Sequence, residues 1–210
     1  MRVTAAKSGR LSTRREALLQ AAAEVFFEQG YVAASIDAII ERAGGSKRNI
    51  YSEFGSKEGL FSAIVTSSAD MALSSLAIED IKGRGLRETL TAFGQHLMDI
   101  YMSPTVIGVY RIAVTEAIRF PDLVRSFYEQ GPGRAASHLA DVLELARERG
   151  EIRADDCLCA AGHFVGMIRD NLHLQVVLGL RLPPSEEEKQ KAVESAVEIF
   201  LNGIRSGRRK

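Results

Sequence analysis

Apolar residues recur along this chain at helical spacing, and no stretch alternates in the way of a β-strand. The clearest pattern lies between Ser35 and Lys57, in SIDAIIERAGGSKRNIYSEFGSK. Ile36, Ile39, Ile40 and Ala43 fall on one helical face, with Ser35 as N-cap and Asp37 in the first turn. Gly44-Gly45 stops that helix, because glycine reaches left-handed backbone angles without a Cβ clash. Ser46 caps a second helix whose Ile50 and Phe54 lie one turn apart on its inner side. The outer side carries Lys47, Arg48, Asn49, Tyr51 and Ser52, and Gly55-Ser56 ends it and opens a third helix. This is a helix-turn-helix pattern.

Everything after Ser56 also reads as helix, so the predicted fold is all-α. One helix is expected from Ser56 to about Leu76, with Lys82-Gly83-Arg84-Gly85 as a break. Leu86, Leu90, Phe93, Leu97 and Ile100 mark the next, which ends near Pro104. The segment from Thr105 to Arg119 is apolar nearly all round and is expected to be central in its domain. Pro121 suits the first turn of a following helix that runs toward Gly150, with Gly131-Pro132-Gly133 as the place where it can break. Asp155 or Asp156 is expected to cap a helix to about Gly179. Ser185 and Glu188 form a capping box for the last helix, whose stripe is Val193, Val197, Phe200, Leu201 and Ile204. There is no internal repeat, and residues 205–210, RSGRRK, read as a basic tail.

Composition narrows the chemistry. The formal charge is zero, yet residues 1–50 hold 8 basic and 5 acidic groups, while residues 51–210 hold 19 and 22. The first part is thus +3 and the rest −3, a modest polarity that suits weak, salt-sensitive attraction to phosphate. Arg2, Lys7, Arg10, Arg14 and Arg15 stand in residues 1–15 without an acid, as a flexible arm against phosphate would. No leader pattern and no run of about twenty apolar residues occurs, so a soluble, cytoplasmic protein without membrane contact is expected. Cys157 and Cys159 are the only cysteines; two apart on a helix they diverge, and they are expected to be buried thiols, not a disulfide or a metal pair. His96, His138, His163 and His173 have no metal-ligand spacing, and no nucleophile, phosphate-loop or dinucleotide motif is present. No cofactor, metal or catalytic residue is therefore assigned, and an enzyme built on His163, Arg111 and Glu116 is a remote alternative.

Polar residues at the front of the second short helix have the chemistry of base and phosphate recognition. Lys47, Arg48 and Asn49 stand where base edges are reached, with Arg48 suited to guanine and Asn49 to adenine. The same pattern also suits any helix pair in a bundle, and the pattern alone does not choose.

The stretch Arg14–Phe61, RREALLQAAAEVFFEQGYVAASIDAIIERAGGSKRNIYSEFGSKEGLF, resembles the N-terminal domain of the TetR family of bacterial transcriptional regulators. The resemblance includes Gly30-Tyr31, Ala43-Gly44, Ile50-Tyr51 and the Phe54-x-Ser56-Lys57-Glu58 junction. Gly45 departs from it where valine is common, and Arg48-Asn49 depart where glycine or threonine is common. The resemblance implies double-stranded DNA as partner, read as a palindromic operator, with Ser35, Tyr51 and Lys57 at positions that usually touch phosphate and Ser46 at a helix N-terminus that adds backbone donors. The segment YRIAVTEAIRFPDLVRSFYEQGP is similar, less specifically, to the C-terminal domains of the AefR-like branch.

The implied organisation is a DNA-binding domain at residues 1–58, a ligand-binding and dimerisation domain at 59–205, and a basic tail at 206–210. A homodimer is expected through helices 156–179 and 185–205, with Gly162 and Gly166 allowing close approach. A small apolar or amphipathic effector would release a repressor from DNA; a ligand-independent regulator and an activator are the alternatives. The candidate effector set is Phe93, His96, Tyr110, Arg111, Glu116, His163, Met167 and Asn171, with Gly94 and Ala113 as small positions beside it. Arg111, Thr115, Glu116 and Arg119 are read either as an internal salt-bridge set or as the polar wall of that cavity. The helix from Ser56, ending near Met71 and Leu76, is expected to be the only covalent route between the halves.

Overall fold

The computed structural model describes residues 3–73 and 85–204. Ten α-helices occur among the described residues: α1 (Val3–Gln29), α2 (Ile36–Ala43), α3 (Lys47–Phe54), α4 (Lys57–Leu73), α5 (Leu86–Tyr101), α6 (Pro104–Thr115), α7 (Pro121–Gln130), α8 (Pro132–Glu148), α9 (Cys157–Val177) and α10 (Glu186–Ile204). The fold is all-α, as the periodicity predicts. The expected break at residues 82–84, the helix end at Leu76 and the tail at 205–210 lie outside the described residues. Helix α1 already begins at Val3, so the segment expected to be a flexible arm is helical from there.

Helix ends follow the predicted chemistry. Ser185 and Glu188 cap reciprocally: the Glu188 backbone N–H donates to Ser185 Oγ (3.3 Å) and the Ser185 N–H donates to Glu188 Oε2 (2.9 Å). That backbone bond, followed by Arg181, holds the Glu188 carboxyl below its usual range. Asp156, not Asp155, caps α9, accepting from the Cys159 N–H at 2.9 Å. Gly131 separates α7 from α8, with Pro132 at the first position of α8.

The chain folds as two compact units, residues 1–67 with 108–127 and residues 68–107 with 128–210. The three crossings fall inside α4, α6 and α7, so α4 is not the sole covalent route between the units. In the first unit a core of Val25, Phe26, Tyr31, Ile39, Ile50, Leu60 and Phe61 holds the short helices. The later part of α6 joins this core through Val109 and Ile112. Gly108 allows that approach, since a Cβ there would meet the Phe27 ring at 2.5 Å. Helix α6 is not buried all round, as its composition suggested: Arg111 and Thr115 are exposed, Val114 is 61% exposed, and Ile118 just beyond it is 97% exposed. Apolar content alone does not bury a helix whose partners cover only one face.

In the second unit α9 packs against α5, α8 and α10 around Leu90, Phe93, Leu97, Leu139, Leu143, Phe164 and Phe200. The stripe Val193, Val197, Phe200 and Leu201 of α10 is buried inside the same chain. It is therefore consumed by intramolecular packing and leaves no free face of its own. Cys157 is buried, whereas Cys159 is exposed.

Gly94 is a buried point of close packing, not a position beside open space: an added Cβ would lie 2.8 Å from Val193 Cγ1 and 2.9 Å from Ile168 Cδ1. Gly94→Val should therefore lower unfolding stability by about 1–3 kcal/mol through overpacking. A urea midpoint equal to wild type would contradict this close packing.

Candidate nucleic-acid interface

The recognition surface is built from the turn outward. Gly44 and Gly45 both take positive φ, 73° and 110°, so two left-handed residues in succession turn α2 into α3. This explains Gly45 where relatives often carry valine: a β-branched side chain would be strained at that angle. Ser35 Oγ accepts from the Ala38 N–H (3.1 Å) and Ser46 Oγ from the Asn49 N–H (3.3 Å), which sets both helix N-termini.

Salt bridges tie both short helices to α1. Arg42 of α2 makes a two-pronged bond to Glu28 (2.9 and 2.6 Å). Arg15 of α1 bonds Glu53 of α3 at 3.0 Å, with its guanidinium 5.6 Å from the centre of the Phe54 ring. Such exposed pairs contribute about 0–1 kcal/mol each, so their role is orientation more than stability. Ile50 anchors α3 from below.

The structure places Lys47, Arg48, Asn49 and Tyr51 together on the exposed side of α3. Lys47 bonds Asp37 at 2.8 Å, and this pairing raises the lysine pKa. Arg48 and Asn49 project from the first turn, where a helix in the major groove meets base edges. Tyr51 is half-exposed one turn further on.

Lys57 is employed differently from the expected phosphate contact. Its ammonium donates to the carbonyls of Tyr31 (2.8 Å), Val32 (3.2 Å) and Ala34 (3.2 Å), and lies 4.6 Å from the centre of the Tyr31 ring. An ammonium has three donors, and here all three serve the turn between α1 and α2. Tyr31 also packs on Phe26, Phe61 and Phe120, with ring centroids 5.5, 5.7 and 5.2 Å away. Burial, then the nearby Glu58 carboxylate, holds its phenol well above its ordinary value.

The eight candidate effector residues divide between the units. Tyr110, Arg111 and Glu116 belong to the first, and Phe93, His96, His163, Met167 and Asn171 to the second. Phe93 is core, stacked 6.2 Å from Phe164, while Met167 packs at the core edge. His163 and Asn171 are exposed on α9, with His163 Nε2 3.9 Å from Cys159 Sγ. Tyr110 lies edge-on to Phe127 at 6.1 Å. Arg119 and Glu116 come within 4.0 Å at the predicted spacing, although Arg119 is mostly exposed.

Two buried polar residues of the second unit escape sequence reading. Tyr101 and His173 are 6% and 2% exposed, their rings 5.6 Å apart. The Tyr101 hydroxyl has no hydrogen-bond partner, a condition that costs about 1–3 kcal/mol. Burial, opposed by Arg169, pushes that phenol up to about 12; burial and then Arg169 push His173 down to about 4. Tyr101 closes α5 beyond its apolar stripe, and His173 sits on a helix of mixed composition, so neither position announces itself by spacing.

Comparison with known proteins agrees with this geometry. Residues 18–64 match the model of the N-terminal domain described as bacterial regulatory proteins, tetR family, and residues 88–203 match that of the AefR-like transcriptional repressor C-terminal domain. The chain belongs to the TetR family. It is a DNA-binding transcriptional regulator. The transcriptional activator FasR of Mycolicibacterium smegmatis is 46% identical over 61 residues, 29% of this chain and 28% of FasR. The regulator SrpR of Pseudomonas putida is 26% identical over 187 residues, 89% of this chain and 83% of SrpR. Among solved structures, the flavonoid-responsive regulator FrrA is 33% identical with a TM-score of 0.74, covering 95% of this chain and 100% of FrrA. A TetR-family regulator from Mesorhizobium loti MAFF303099 is 26% identical with a TM-score of 0.79, covering 93% and 98%. Among the described residues no helix is long and apolar enough to cross a membrane.

Two expectations follow. Lys57→Met should lower stability by about 1–3 kcal/mol, because three carbonyls lose their donor. The slope of log affinity against log salt should stay at the wild-type value, whereas loss of a phosphate contact flattens it by about one unit. Operator titration across salt decides between the two.

His173 gives the second. Its unfolded form takes a proton below its ordinary pKa of 6.5, and its folded form only near 4, so acid favours unfolding throughout that window. Stability is fully kept above 6.5 and lost progressively as pH falls toward 4. Between pH 7 and 5 wild type should lose about 2 kcal/mol more than His173→Phe in urea melts. Equal losses would show that His173 is protonated in the folded protein.

Proposed function

We propose that this TetR-family chain is a cytoplasmic, homodimeric repressor that holds a palindromic operator and is released by a small apolar or amphipathic ligand. The observation that carries the reading is the front of α3, where Lys47, Arg48 and Asn49 stand exposed on a helix clamped to α1. Residues 1–58 are assigned to DNA binding and 59–205 to effector binding and dimerisation. Dimerisation falls to α9, since the α10 stripe is spent inside the chain. Leu158, Gly162, Gly166 and Leu174 lie exposed along α9, and both glycines face open space. A two-fold pairing there would set two recognition helices one groove repeat apart, about 34–36 Å. The AefR-like match supports repression, and the flavonoid response of FrrA supports an aromatic effector.

The test uses the promoter of the encoding gene as DNA. Light scattering at micromolar concentration should give the mass of two chains, and Gly162→Trp with Gly166→Trp should abolish both dimer and operator binding. Arg48→Ala should cost about 1–3 kcal/mol and relax preference at one base pair per half-site. A single-chain mass for wild type, or an Arg48→Ala loss that is equal for every sequence, would overturn the proposal.

A further inference from the structure

The second unit buries three polar side chains in a core that is otherwise apolar: Thr89, Tyr101 and His173. Thr89 satisfies itself locally, donating from Oγ1 to the Gly85 carbonyl at 3.2 Å. Tyr101 does not. Its hydroxyl is sealed from water without a partner, at the end of α5, against the His173 ring of α9. Phenylalanine would fill the same volume with no unmet hydrogen bond, so the hydroxyl contributes nothing to the fold in this state. Arg169 stands one turn before His173 on α9 and acts electrostatically on both residues.

We propose that Tyr101 and His173 are the polar anchor of the effector site, and that the effector is a planar, hydroxylated aromatic whose acidic hydroxyl faces Arg169. This rests on the ligand-released reading above and names the chemistry of its ligand. A phenol meets each feature. Its hydroxyl accepts from Tyr101 Oη–H and donates to, or accepts from, the imidazole, which is neutral when buried. Its ring lies against the Tyr101 and His173 rings in the offset or tilted geometry aromatic groups prefer. Its weakly acidic proton places developing negative charge toward a guanidinium instead of into apolar core. An aliphatic effector satisfies none of these groups and leaves the Tyr101 hydroxyl as it is.

The probes are apigenin, a planar trihydroxylated aromatic, and flavone, the same skeleton without hydroxyls. Direct calorimetric titration, without DNA, should show apigenin binding to wild type. Tyr101→Phe should weaken it about tenfold or more while leaving flavone affinity within about twofold. His173→Phe should weaken apigenin as well. Thr89→Val, whose hydroxyl is satisfied within its own helix, should leave apigenin affinity unchanged, separating ligand contact from general core disturbance. Tyr101→Phe retains the shape of the side chain, and its melting temperature should equal or exceed that of wild type. Absence of apigenin binding to wild type, or equal affinity in wild type and Tyr101→Phe, overturns the proposal. Promoter binding by the ligand-free protein is measured separately. Its loss would count against the operator reading, and its retention beside a failed titration would count against this site alone.

Discussion

The Lys57 ammonium sits where the chain leaves the recognition helix, and the three carbonyls it serves belong to the turn that carries α1 into α2. That arrangement joins the start of α4 to the α1–α2 turn with one side chain. Tyr31, beneath it, gathers Phe26, Phe61 and Phe120, which come from three separate segments of the first unit. A half-buried cation with three carbonyl acceptors and an aromatic face has little freedom to move, so the entry angle of α4 is narrowly set. The orientation of α3 then follows from Ile50 below, the Arg15–Glu53 pair at its side and the double-glycine turn in front. A helix that must present three side chains to base edges needs this rigidity, because a misplacement of about an ångström spoils bidentate hydrogen bonds.

The same frame extends beyond the helix-turn-helix. Helices α4, α6 and α7 each begin in one compact unit and end in the other, so no loop separates recognition from the remaining chain. Helix α6 is fastened to the first unit through Val109 and Ile112, with Gly108 making room for Phe27. Continuous helices transmit tilt better than loops do, which gives an effector in the second unit a mechanical route to α3. What such a ligand must supply is differential affinity for two arrangements, of the order of 1–3 kcal/mol.

Much of this was legible in the residues. Caps and stops are local chemistry, so Ser35, Ser46, Gly44 and the Ser185–Glu188 box read correctly from sequence. Side-chain partners are not local, and there the reading diverged. Lys57 looks like a free cation at a helix start, yet its acceptors lie 23 to 26 residues earlier. The α10 stripe looks unpartnered because nothing follows it, but α5 covers it from a hundred residues upstream. Gly94 looks like spare room, whereas Val193 and Ile168 close upon it. Tyr101 and His173 were missed because neither stands at a spacing that separates a buried polar residue from an ordinary helical one.

Selection of bound sequences from a pool of random duplex DNA tests the central claim, that exposed residues at the front of a rigidly held α3 read bases as a symmetric pair. The account predicts enrichment of an inverted repeat whose half-site centres are about one helical turn, or a multiple of it, apart. Recovery of sequences with no shared motif, or of one unrepeated half-site, would contradict it.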